Sequence, residues 1–126
     1  MAEDPRLNRG LNGGLICASA ELVDSGRGVR FEVEYFGEPA PAFVIRANGE
    51  AHGYLNRCAH VAMELDWQEG VFFDLAGVDL ICSTHGAAYH PATGQCLGGP
   101  CNRTPLVKLR IAERDGNVYF MGFEDG

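Results

Sequence analysis

No stretch of the 126-residue chain approaches the ~18 consecutive apolar residues that a membrane-spanning helix needs. The opening MAEDPRLNRGLNGG lacks an apolar core and a twin-arginine pair, so no export signal is expected and the cytoplasm is the expected location. Basic residues are scarce: ten Lys and Arg stand against 17 Asp and Glu, a net charge of −7. That balance argues against nucleic acid, whose phosphates demand a basic face. Internal repeats and low-complexity tracts are absent, and no segment carries a clear helical period. An even cysteine count is missing too. Five cysteines without a secretion signal do not read as a disulfide framework.

What is present reads as short strands and tight turns. Seventeen glycines and six prolines punctuate a chain that is 46% hydrophobic and 21% charged, long enough for one domain with one modest core. Residues 1–13 form a polar lead-in, and GLICASA (14–20) is a short apolar strand. VRFEVEYF (29–36) alternates, with Val29, Phe31, Val33 and Tyr35 on one face and Arg30, Glu32 and Glu34 on the other. FVIRA runs into Asn48-Gly49, the strongest two-residue hairpin signal, and EAHGYLN returns from it. A second hairpin pairs 106–112 with 117–123 around RDGN. Between the hairpins, MELDWQEGVFFDL holds at most one helical turn. The expected architecture is all-β, with an antiparallel β-sandwich base (14–56 and 104–123) and an inserted module over about 57–103, all within a single domain, 1–126.

The inserted module concentrates the chemistry. Cys58-x-His60 is followed, after residues 61–81, by Cys82-x-x-His85. Two short chelating pairs on separate loops close a four-coordinate site from two sides. Two thiolates and two imidazoles suit tetrahedral zinc. They suit equally a [2Fe–2S] centre in which two Cys hold one iron and two His the other. Zinc fingers usually pair Cys with Cys and His with His, whereas here each pair is mixed, in the same order. Facing loops then put both cysteines inside and both histidines outside, which favours two bridged metals. Gly86 after His85 lets backbone N–H groups approach sulfur. The Gly-Gly-Pro loop ending at Pro100 is placed to cover the site.

These residues, CAH…CSTHGAAYHPATGQCLGGP, resemble the Rieske ferredoxins, stand-alone relatives of the Rieske domains of ring-hydroxylating oxygenases and cytochrome bc complexes. The resemblance covers about 14–123 in layout and is specific in 58–105. It implies the Rieske fold and one [2Fe–2S] cluster per chain, with Cys58 and Cys82 on the inner iron and His60 and His85 on the outer one. Two departures from the bc type matter. Met63 and Thr84 stand where that type carries a loop-clasping disulfide, and Ala87 stands where a serine donates to a bridging sulfide. The tyrosine that donates to a ligand cysteine is matched by Tyr89. Fewer donors leave the reduced cluster less stabilised, which implies the low end of roughly −150 to +300 mV.

The resemblance also implies the role. The expected function is one-electron transfer from a flavin reductase to a terminal oxygenase or similar acceptor, without catalysis by the chain itself. A full oxygenase needs a further mononuclear iron site and a large domain to hold it. Two alternatives stand beside it: a small subunit of a larger oxidoreductase, similar to that of nitrite reductase, and a zinc-stabilised binding module. Between the ligand pairs lie Glu64, Asp66, Glu69, Asp74 and Asp79 with no Lys or Arg, an acidic face that would steer a basic partner. Trp67 is expected to pack inside, Cys17 to be a buried strand residue, His52 to be structural and His90 to lie at the surface. Cys96 and Cys101 flank LGGP and are expected as packed thiols.

Overall fold

The computed structural model describes residues 14–57, 64–66, 68–82, 86–99 and 104–124. Nine strands run through them: β1 (Gly14–Ala18), β2 (Val29–Tyr35), β3 (Glu38–Ala47), β4 (Glu50–Leu55), β5 (Leu80–Ile81), β6 (Ala88–Tyr89), β7 (Cys96–Gly98), β8 (Lys108–Arg114) and β9 (Asn117–Phe123). One 3-10 turn, Ser19–Glu21, is the helical structure among the described residues. The fold is all-β. No helix of the described residues is long and apolar enough to cross a membrane.

Six strands form one antiparallel sheet in the order β1-β9-β8-β4-β3-β2, and β5-β6-β7 form a second. Both expected hairpins are present. Asn48 and Gly49 take φ of 52° and 82° between β3 and β4, and Asp115 and Gly116 take 52° and 77° between β8 and β9. Paired left-handed residues match the right-handed twist of the flanking strands, which is why Asn-Gly and Asp-Gly serve here. A third hairpin turns at Phe36-Gly37, and it lengthens β3 back to Glu38.

The edge strands β1 and β2 come back into contact, so the large sheet curls around a core. Ile16, Phe31, Val33, Val44, Leu55, Leu109, Val118 and Phe120 fill that curl. β3 is buried on both faces. Its even residues Ala40, Ala42 and Val44 point into the curl, while Phe43, Ile45 and Ala47 point into a second core shared with the small sheet. Phe43 stacks on Phe72 at a centroid distance of 3.9 Å and an interplanar angle of 12°. Leu65, Phe73, Leu80, Cys82, Tyr89 and Leu106 complete this second core. The part of MELDWQEGVFFDL that is described forms no helix, because Phe72 and Phe73 run extended beside β5, and Ile81 donates its N–H to Phe72 O at 2.8 Å.

Candidate metal centre

Cys82 follows β5 directly and is fully buried in the second core. Leu80 pairs with Tyr89 and Ile81 with Ala88, so β5 and β6 form an antiparallel pair. Two backbone bonds continue it: Cys82 N–H to Ala87 O and Gly86 N–H to Cys82 O, each 2.8 Å. Gly86 makes the return at a φ of 76°, a conformation that side chains with a Cβ rarely adopt. Tyr89 lies on β6, fully buried in the same cluster as Cys82.

β7 adds to β6, pairing Gly98 with Ala88 and Cys96 with Tyr89. Beyond it, Gly99 lies so close to the hairpin that a Cβ there would meet Ala87 Cα and Gly86 O at 2.9 Å each. The Gly-Gly loop therefore covers the Gly86–Ala87 segment. Cys58, His60, His85 and Pro100 lie outside the described residues, as do Met63, Trp67, Thr84 and Cys101. The residues present fit a thiolate-held cluster. Cys82 offers a soft donor sealed from water at a strand end, beside a buried tyrosine and under a close-packed glycine loop.

One expectation is corrected. Cys96 is disulfide-bonded and so is not the packed thiol that the reducing compartment suggested. Compartment sets which thiols survive on average, but pairing is decided locally by the approach of two Cβ atoms, which composition does not show. Cys17 is a buried strand residue, and His90 is exposed, its Nδ1 accepting the Ala92 N–H at 3.1 Å.

Sequence reasoning missed two groups. Arg30, on the polar face of β2, reaches Glu64, Asp66 (3.5 Å) and Glu69 (3.5 Å), so three of the five collar acids share one guanidinium. Five acids with no basic neighbour in their own segment was the available signal, since a cation then has to come from elsewhere. The second group anchors the module to the base. Tyr54 Oη donates to Pro91 O at 2.7 Å, and Lys108 Nζ donates to Ala92 O at 2.8 Å. Burial pushes the Tyr54 hydroxyl pKa up and the Lys108 ammonium down. His52 lies 3.3 Å from Lys108 Nζ, and burial followed by that cation lowers its pKa. His52, Ala92 and Lys108 border a groove of about 420 Å³ along β4 and β8.

A family model described as the Rieske [2Fe-2S] domain matches residues 14–113. No curated protein matches. Among solved structures, the chain is similar to a ferredoxin of Sphingomonas yanoikuyae B1, with 25% identity, a TM-score of 0.67 and coverage of 86% of this chain and 97% of that one. It is similar to the ferredoxin of carbazole 1,9a-dioxygenase from Nocardioides aromaticivorans IC177, with 17% identity, a TM-score of 0.69 and coverage of 89% and 99%. The terminal oxygenase of the same type of dioxygenase from Novosphingobium sp. KA1 matches at 19% identity and a TM-score of 0.66, covering 97% of this chain and 34% of that chain.

Proposed function

Since the chain belongs to the Rieske [2Fe–2S] domain family, we propose that it is a one-electron carrier passing electrons from a flavin reductase to a terminal oxygenase or similar acceptor. When bound, the cluster supplies a site that takes up and gives up single electrons near the potentials of its class. Cys58, His60, Cys82 and His85 would hold it, through two thiolates and two imidazoles. Tyr89 would donate to a ligand sulfur, and Gly86 and Pro100 would serve the loops that carry and cover the cluster. The observation that carries the reading is the family match over 14–113, which spans both mixed Cys/His pairs, joined to a fully buried Cys82 thiol.

The chain's own role in transfer is to keep the cysteine side dry and offer the histidine side to a partner. A net charge of −7, with exposed Glu64 and Glu69 on the segment between the ligand pairs, favours a partner with a basic docking surface in the cytoplasm. Two ferredoxins matched over 97% and 99% of their own length support the carrier reading. The test is a set of single substitutions: Cys58→Ser, His60→Ala, Cys82→Ser and His85→Ala. Each is expected to lose the visible chromophore and its iron while far-UV circular dichroism keeps the strand signal. Cys17→Ser, in the other core, is expected to keep both. Full iron and colour in any two of the four ligand variants would sink the assignment.

A further inference from the structure

Asn56, just after β4, and Leu65 flank the stretch of sequence that holds Cys58 and His60. Asn56 and Asp66 are the two polar residues buried among the described positions, at 1% and 5% exposure. They bond to each other, Asn56 Nδ2 donating to Asp66 Oδ1 at 2.7 Å. Asn56 Oδ1 accepts the Leu65 N–H at 2.8 Å, and Asp66 Oδ2 accepts the Gly70 N–H at 2.9 Å. The Asn56 N–H is fixed to Pro41 O on β3 at 2.8 Å. Arg30 on β2 closes over the pair, its Nε 3.5 Å from Asp66 Oδ2. Both ends of the loop are thus tied together and tied to the base.

Burying a carboxylate and an amide costs free energy unless every lone pair and proton is met. Here each side-chain N and O of the pair has a partner: one another, two backbone amides and a guanidinium. An apolar pair would close a neck without that cost, so the polar pair offers direction rather than adhesion. We propose that the Asn56–Asp66 pair, gripped by Arg30, is the positioning element for the first ligand loop, fixing the register in which Cys58 and His60 meet the cluster. This rests on the ligand assignment made above. Asn56, Asp66 and Arg30 are positioning residues: they act through the loop they hold.

The hydrogen-bond pattern makes a sharp test possible. Asp66→Asn alone leaves two amide groups with too few acceptors between Asn56 and Gly70. Asn56→Asp alone sets two carboxylates face to face. The reciprocal exchange, Asn56→Asp with Asp66→Asn, restores all three bonds: the carboxylate at 56 accepts from Leu65 and from the amide at 66, whose oxygen accepts from Gly70. Each single variant is expected to hold its iron and sulfide about 10- to 100-fold less tightly under chelator challenge, with shifted electron paramagnetic resonance g-values in the cluster that survives. The double variant is expected to recover most of both. Hydrogen exchange at Leu65 and Gly70 supplies a readout independent of the cluster, rising in the singles and falling back in the double. Single variants with wild-type retention, g-values and exchange would overturn the proposal, as would a double variant no better than the worse single. A wild-type chain that binds no cluster would instead strike down the ligand assignment, and this role with it.

Discussion

Gly86 and Gly99 take nearly the same left-handed φ, 76° and 84°, yet a methyl group would meet different surroundings at each. At Gly86 no atom of the described residues lies within 4 Å of the Cβ direction, so against them Gly86→Ala carries the backbone cost alone, about 1–2 kcal/mol. At Gly99 the same cost is joined by overlap with Ala87 Cα and Gly86 O. Gly99→Ala is therefore expected to lower the urea midpoint further than Gly86→Ala and to displace the loop. Equal midpoints would show that the glycine loop does not press on the ligand hairpin. At this scale the sequence was readable where chemistry is local. Gly86 after His85 and the Asn-Gly and Asp-Gly turns announce themselves. Phe36-Gly37 does not, because Phe36, at a φ of 51° and largely exposed, has no turn propensity of its own and is held by the strands beside it. Arg30 was unreadable for a similar reason. Its place on the polar face of β2 is that of a solvated residue until the fold brings Glu64, Asp66 and Glu69 onto it.

At the scale of elements, β3 joins two cores, and Phe72 is one of the contacts that hold the small sheet to it. Its ring stacks on Phe43, and its carbonyl accepts the Ile81 N–H at the start of the ligand hairpin. Phe72→Ala is expected to cost about 3–5 kcal/mol, the usual range for a buried aromatic. Loss should fall first on the small sheet, with amide exchange at Ile81 and Cys82 rising more than at Val44 and Ile45. A uniform rise across both sheets would mean that the two cores unfold as one unit. The alternation of β2 foretold one buried face, and Phe31 and Val33 provide it. That β3 is buried on both faces was hidden. FVIRA reads as a plain apolar run, and such a run does not say what lies on either side. The extended path of Phe72 and Phe73 was obscured likewise, since an apolar pair in a turn-rich segment fits one helical turn as well as a strand.

For the molecule as a whole, the large sheet is a platform, and the small sheet carries Cys82 on its end. The donor pattern was legible because cluster chemistry imposes residue type and spacing on a short stretch. The devices that position it were not, because Asn56, Asp66 and Arg30 are common residues made specific only by contact. The central claim is that this chain carries a redox cluster held by mixed Cys/His pairs. The measurement that tests it most directly is iron and acid-labile sulfide counted on freshly purified protein, with the visible spectrum taken before and after dithionite. The account predicts about two irons and two sulfides per chain and a red-brown colour that bleaches on reduction. A colourless protein with stoichiometric zinc, still colourless after anaerobic reconstitution with iron and sulfide, would contradict it.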